Sequence, residues 1–277
     1  MKKIICSIIT LAALTQASRA GMIISYAEDP NTYVSTLSGT QVFDFNSITT
    51  GKSTNVNWSG VGTFDQLYVK NADAYGGAAD ALNPNGTRYS VQGAGSGVLS
   101  STLNLSNQSA YFGLWWSAGD AKNVLEFYNG STLVGRFVTS TLMDPLPSTY
   151  DGNPRNRTIN SHEPYGFINF FADENTTWDR IVFTNNGTSG FESDNYTTRV
   201  AAWNPLTDGA LPGVPVAVVS GTTTTSVTSS SLEGSRWSLN ESSVGAIPGA
   251  PAPPWILLAA FAVVVTARRS KLTPRMA

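Results

Sequence analysis

The chain has 277 residues, of which 41% are hydrophobic and only 13% charged, with a single cysteine and a single histidine. A charged fraction near half the usual quarter, with Ser, Thr, Asn and Gly in its place, is typical of exported β-proteins and disfavours a cytosolic enzyme. Away from the basic residues near the two ends, ten basic and nineteen acidic side chains remain, a net charge of −9. Such a surface repels a phosphate backbone, so nucleic-acid partners are excluded.

The first twenty residues predict a signal peptide. A basic start is followed by an apolar segment over residues 4–14 and by a small-x-small site that ends at Ala20. We therefore expect signal peptidase to cut between Ala20 and Gly21 and the protein to be exported. Cys6 leaves with the peptide, so the mature chain has no cysteine for a disulfide or a thiolate metal site.

Residues 21–205 predict one all-β domain. Short apolar runs rich in β-branched and aromatic residues alternate with Asn-Gly, Asp-Gly, Gly-Gly and Asn-Pro pairs, and no helical pattern appears. This spacing is typical of an antiparallel β-sandwich of jelly-roll or lectin-like type. The predicted strands are Gln41–Phe45, Thr63–Lys70, Arg88–Gln92, Val98–Leu105, Ala110–Ser117, Asn123–Tyr128, Thr132–Thr139, Gly166–Ala172, Asp179–Thr184 and Tyr196–Ala201.

The hairpin around Asn129-Gly130 has the clearest local pattern, because Asn-Gly supplies the positive φ angles of a tight turn. Strand alternation places one set of its side chains in the core and another on the opposite face. The expected core set is Leu125, Phe127, Leu133 and Phe137, and the opposite set is Glu126, Tyr128 and Arg136.

The opposite set predicts a sugar-binding face when it is combined with further aromatic residues. These are Tyr111, Trp115 and Trp178. Exposed aromatic rings beside charged hydrogen-bonding groups can hold the rings of a glycan such as exopolysaccharide. The alternative is that these aromatic residues pack under loops, since Trp and Tyr are mostly buried.

An acidic segment precedes the last predicted strand. Glu192, Asp194 and Asn195 offer the oxygen ligands that Ca²⁺ prefers, with a plain Asx-type turn as the alternative. A glycan hydrolase is disfavoured, because Tyr196 stands where a third acid is needed. His162 is the only histidine, and no Gly-x-Ser-x-Gly elbow occurs. We therefore expect no catalytic activity and no cofactor other than a structural calcium ion.

Residues 206–254 are rich in Pro, Ser and Thr and predict a flexible linker, with a weak strand at Val214–Val219 as the alternative. A proline cluster closes this segment, followed by a short apolar helix over residues 255–269 and a cytoplasmic tail over residues 270–277. The residues that define this ending are Pro251, Pro253, Pro254, Trp255, Arg268 and Arg269.

This ending resembles the PEP-CTERM sorting signal of bacterial surface proteins. The resemblance implies processing by exosortase after transient anchoring in the inner membrane; a plain single-pass anchor is the alternative. The body is also similar to a group of exosortase-dependent surface proteins, on the segments Tyr111–Trp116, Leu125–Gly130, Phe167–Phe171 and Gly190–Asn195. That similarity implies a β-sandwich and a surface location but no agreed activity.

The sequence thus predicts an exported cell-surface or extracellular-matrix protein without catalytic activity. A carbohydrate-binding module for exopolysaccharide is the alternative, and a glycan hydrolase is the least favoured of the three. Signal peptidase and exosortase are the expected processing partners.

Overall fold

The computed structural model describes residues 21–78, 86–93, 95–185 and 187–220, and the backbone of 223–226. The predicted signal peptide, proline cluster, apolar helix and tail lie outside these residues. Within the described part of the chain, no helix is both long enough and apolar enough to cross a membrane.

The fold is all-β and antiparallel, as predicted. Two four-residue helices, α1 (Thr139–Leu142) and α2 (Pro205–Asp208), and one 3₁₀ turn (Ser148–Tyr150) accompany the strands. The described strands are β1 Gly21–Tyr26, β2 Gln41–Phe43, β3 Gly51–Trp58, β4 Gly62–Lys70, β5 Tyr89–Gly93, β6 Ser100–Ser109, β7 Tyr111–Ser117, β8 Asn123–Asn129, β9 Thr132–Val138, β10 Gly166–Ala172, β11 Trp178–Asn185, β12 Gly190–Arg199, β13 Val214–Ser220 and β14 Thr223–Ser226.

All the strands described above belong to one connected sheet. Its order is β14-β13-β1-β10-β7-β12-β5-β4-β6-β11-β8-β9, with β2 paired to β12 and β3 paired to β4. β4 pairs with β6 near its start and with β5 at its end, so it links two groups of strands. The first group is β14, β13, β1, β10, β7, β12 and β5, and the second is β6, β11, β8 and β9. At the far ends, β14 and β9 approach within 8 Å between Cα atoms. The sheet therefore nearly closes on itself.

An aromatic core fills the space between the two groups of strands. Phe127 of β8 lies 5.0 Å from Phe170 of β10, and Phe183 of β11 stacks on Tyr196 of β12 at 4.6 Å, measured between ring centroids. Each such pair contributes about 0.5–1.5 kcal/mol beyond the burial of its area. Burial of these rings is the main force that holds the two groups face to face.

The β8–β9 hairpin confirms the local prediction, with one correction. A bulge after Phe127 pairs this residue with Gly135 and pairs Tyr128 with Leu133. The extra residue shifts the alternation, so Val134 is buried whereas Leu133 is 36% exposed. The expectation that Leu133 belongs to the core is therefore wrong.

The predicted boundary between domain and linker is also wrong. α2 and β13 lie inside the segment assigned to the linker, and β13 pairs with β1 over the length of that strand. Val216, Ala217 and Val219 are buried against the core. The alternative prediction of a strand at Val214–Val219 is thus confirmed, because an apolar run can cover the edge of β1 whatever the composition around it.

Candidate functional site

The second face of β10, β7, β12 and β5 turns away from the aromatic core and lies under loops. Glu192 and Asp194 of β12 stand opposite Ser117 and Trp115 of β7, and all four are buried. Residues Tyr33, Ala78, Tyr165 and Phe167 pack around Trp115 in a second, smaller cluster. Buried polar groups of this chain therefore collect between the sheet and its covering loops.

Asp194 is fully buried and bound by three donors. Its Oδ2 accepts hydrogen bonds from the Ala78 amide at 3.1 Å and from the Thr87 hydroxyl, and its Oδ1 accepts one from the Asn195 amide at 2.7 Å. Burial raises the pKa of Asp194 to about 7, although these hydrogen bonds oppose the rise. The carboxylate thus ties loop residues 78 and 87 to β12.

The three predicted calcium ligands face different neighbours. Asn195 Nδ2 donates to the Tyr33 carbonyl at 2.8 Å, and the Glu192 carboxylate lies against Gly190. Across the described residues, no group of three His, Cys, Asp or Glu side chains could hold a metal ion. Asp194 instead joins β12 to residues 78 and 87 of a distant loop and accepts one hydrogen bond from the adjacent Asn195 backbone.

Glu192 is buried without a full set of hydrogen-bond partners. Its Oε2 has no partner among the described residues, and neither do Ser117 Oγ and Trp115 Nε1 on the same face. Burial raises the pKa of Glu192 to about 8, and the negative charge of Asp120 adds to the rise. Burial also raises the pKa of Asp120, which accepts a hydrogen bond from the Gly190 backbone. Glu192 is therefore mostly protonated at neutral pH.

The predicted sugar-binding face is wrong for Tyr111, Trp115 and Trp178, which are fully buried. Trp178 packs on Phe127 in the core at 4.8 Å, and Trp115 lies under Tyr33 at 4.9 Å, between ring centroids. The physical reason is that alternation identifies residues on one face but not whether loops cover that face. The alternative, aromatic residues packed under loops, holds for Tyr111 and Trp115.

The other three predicted residues do lie together, on the outer face of β8 and β9. Tyr128 Oη donates to Glu126 Oε2 at 3.0 Å, and Arg136 Nε lies 3.2 Å from Glu126 Oε1. Arg180 of β11 adds its guanidinium, 4.4 Å from the centre of the Tyr128 ring. These side chains thus use their charges and hydrogen-bonding groups on one another. The Arg180 guanidinium also covers one face of the Tyr128 ring, on which a sugar would stack.

A cavity of about 490 Å³, which the sequence did not indicate, opens over β10. Phe167 and Asn169 form its floor, and residues 27–38 and 208–213 form its walls. This volume lies in the range of small-molecule sites. The two wall segments lie near opposite ends of the domain's sequence, so no local sequence pattern predicts that they meet. We call this space the β10 cavity.

The floor of the β10 cavity is held by a chain of hydrogen bonds. Tyr111 Oη donates to Asn169 Oδ1 at 2.7 Å, and Asn169 Nδ2 donates to Ser25 Oγ at 3.3 Å. The Ser25 hydroxyl donates in turn to the carbonyl of Pro212 in the cavity wall. The Asn169 amide is therefore fixed in orientation before any ligand arrives.

Three carboxylates line the β10 cavity, and they differ in their partners. Asp208 forms two hydrogen bonds with Arg199, at 2.9 and 2.7 Å, which lower the pKa of Asp208 to about 2. Glu28 and Asp29 form no ion pair with a basic side chain of the described residues. The Arg157 guanidinium lies beside them, because it donates a hydrogen bond to the Pro30 carbonyl at 3.0 Å.

Known proteins provide no guide to the role of these features. Comparison with protein-family models, with curated proteins and with solved structures finds no match to this chain. Function is therefore inferred from the residues themselves.

Proposed function

We propose that this protein is an exported bacterial cell-surface or extracellular-matrix protein, sorted by exosortase, that acts without catalysis. Gly21, the residue that follows the predicted cleavage site, belongs to strand β1. The Gly21 amide donates to Thr176 Oγ1 at 2.9 Å, and its carbonyl accepts from the Asp173 amide at 3.0 Å. The first residue of the expected mature chain is therefore hydrogen-bonded within the domain, and cleavage before it would keep strand β1.

The remaining parts of this proposal follow from the sequence patterns. Signal peptidase and exosortase are the processing partners, and the apolar helix over residues 255–269 anchors the chain transiently in the inner membrane. A jelly-roll or lectin-like β-sandwich is the fold family that we propose for the all-β domain.

The mass of the exported protein tests the two processing steps. We expect a chain that begins at Gly21 and lacks residues 255–277, because both end segments carry cleavage patterns. Intact-mass spectrometry of protein from a host with active exosortase measures this directly. An Ala20→Trp variant is the control, since it removes the small residue from the cleavage site and should retain the leader. A species that keeps residues 255–277 would contradict sorting and leave a plain anchor.

Carbohydrate binding is our second proposed function, and the β10 cavity is the observation that favours it. Hydroxyl and carboxylate groups there match the hydroxyls of a sugar, and Val34 and Leu211 offer apolar atoms to its C–H face. Binding of oligosaccharides without release of reducing sugar would support this function. Release of reducing sugar would contradict the proposed absence of catalysis.

A further inference from the structure

We propose that the protein binds a neutral oligosaccharide chain across two adjoining cavities, of which the β10 cavity holds only one end. This inference rests on carbohydrate binding as the second proposed function, and it adds a second binding site and the length and charge of the ligand. It follows from the position of the second cavity, from its polar lining and from the ion pair between the two cavities.

A second cavity of about 440 Å³ opens where β12 ends, and we call it the β12 cavity. Thr198 near the end of β12, Gln41 at the start of β2 and Ser109 at the end of β6 line it. Ser38 lines both this cavity and the β10 cavity, and Ser38 is exposed. The two cavities therefore adjoin, and a ligand long enough to cross Ser38 occupies both.

An ion pair fixes the wall between the two cavities. Asp208 lines the β10 cavity, Arg199 lines the β12 cavity, and Arg199 Nη2 lies 2.7 Å from Asp208 Oδ2. The other N–H groups of Arg199 donate, at 2.7–3.3 Å, to Asp208 Oδ1 and to the carbonyls of Ser38, Ala201 and Ala202. All five donors of the guanidinium are thus used. This wall is preorganised, so a ligand does not have to order it on binding.

The lining of the β12 cavity selects a neutral ligand. Arg199 is the only charged residue in its described lining, and the protein itself uses every donor of that side chain. A carboxylate or phosphate would therefore lose its hydration there without gaining a free cation as partner. Ser38, Gln41 and Asn107 are exposed in the same lining. Their hydroxyl and amide groups both donate and accept hydrogen bonds, as the hydroxyls of a sugar do.

Both cavities offer the same combination of chemical features. Each combines side-chain hydroxyls with an exposed valine, which is Val34 in the β10 cavity and Val200 in the β12 cavity, 47% and 60% exposed. A sugar ring presents hydroxyls at its rim and C–H groups on its faces. Two neighbouring cavities of like chemistry therefore match a repeating chain of sugars better than one compact ligand, which would fill a single cavity.

Calorimetric titration of the exported protein with glucose oligomers of two and six units, in an α-1,4 and a β-1,4 series, tests the proposal. A disaccharide fits the β10 cavity alone, whereas a hexasaccharide reaches both cavities and should bind at least about 10-fold more tightly in the series that fits. A galacturonate hexamer, which carries one carboxylate on each ring, should bind more weakly than the neutral hexasaccharide. Because a longer chain also binds a single site in several registers, variants must locate the second site.

Val200→Trp fills the β12 cavity from an exposed position, so the fold should tolerate it. It should remove most of the gain with length and leave the affinity for the disaccharide unchanged. Leu99→Trp is the matched control, because Leu99 is 57% exposed and lines neither cavity, and it should change neither affinity. Gln41→Ala removes an amide instead of adding bulk, and it should weaken the hexasaccharide alone by about 3-fold. Thermal melting checks that each variant is folded.

The outcomes separate this inference from carbohydrate binding itself. Equal affinity for the disaccharide and the hexasaccharide, or a gain with length that survives in both Val200→Trp and Gln41→Ala, would overturn the second site and leave binding in the β10 cavity intact. Tighter binding of the galacturonate hexamer than of the neutral hexasaccharide would overturn the choice of a neutral ligand. Binding of no oligosaccharide in either series would overturn both the inference and carbohydrate binding.

Discussion

Asp194→Ala should lower the free energy of unfolding by about 3–5 kcal/mol, because each buried donor left without a partner costs about 1–3 kcal/mol. The substitution leaves the Ala78 and Asn195 backbone amides without an acceptor and leaves the Thr87 hydroxyl only its bond to the Ala78 carbonyl at 3.2 Å. Urea denaturation of the mature protein measures the loss. Asp194→Asn keeps one acceptor oxygen and should lose less, about 1–3 kcal/mol.

The same experiment separates hydrogen bonding from calcium binding at Asp194. Because donors occupy both carboxylate oxygens, we expect the wild-type midpoint to be the same in EGTA and in millimolar Ca²⁺. A ligated ion would instead stabilise the fold by about 2.7 kcal/mol at a hundredfold excess over Kd. Glu174→Ala, at an exposed position, serves as the control for a lost carboxylate. An unchanged midpoint in Asp194→Ala would contradict both roles.

The free energy of unfolding should fall as the pH rises from about 4.5 to about 8, with Glu192 as the main contributor. Its pKa is raised from 4.5 to about 8, so the folded protein holds a proton that the unfolded chain releases throughout this window. The stability due to this proton is complete below the lower value and is lost as the pH passes the upper one. The loss is on the order of a few kcal/mol. Asp194, with its pKa raised to about 7, acts in the same direction.

Glu192→Gln isolates the contribution of Glu192, since glutamine has a similar shape and does not titrate. Thermal melting between about pH 5 and about pH 8.5 should show a shallower pH dependence than in wild type and a higher Tm at the upper end. Glu174→Gln should leave the pH dependence unchanged, because that side chain is exposed. Equal slopes for Glu192→Gln and wild type would show that the buried carboxyl does not control this response.

Short-range patterns predicted much of the fold. The Asn-Gly turn and the alternation around it identified the β8–β9 hairpin and brought Glu126, Tyr128 and Arg136 to one face. The same reasoning failed at Leu133, because a bulge inserts one residue and reverses the side to which the next residues point. A bulge depends on the partner strand, so alternation along one strand does not reveal it.

Exposure could not be predicted for the residues on the second face of the sheet. Alternation correctly separates Trp115 from Trp116, but a face turned away from the core is exposed only if no loop crosses it. Here residues near Tyr33, Ala78 and Tyr165 cover that face and bury Trp115. For this reason the aromatic residues predicted to form a binding surface are buried.

Composition and local periodicity were enough for the sequence to determine an antiparallel all-β domain, because turn chemistry and side-chain alternation act over a few residues. The export and sorting signals, which are also local patterns, remain predictions. Only the tertiary structure placed β13 beside β1 and brought residues 27–38 and 208–213 together around the β10 cavity. These contacts join segments far apart in the chain, and they form because the nearly closed sheet buries its aromatic core and leaves its second face to the loops.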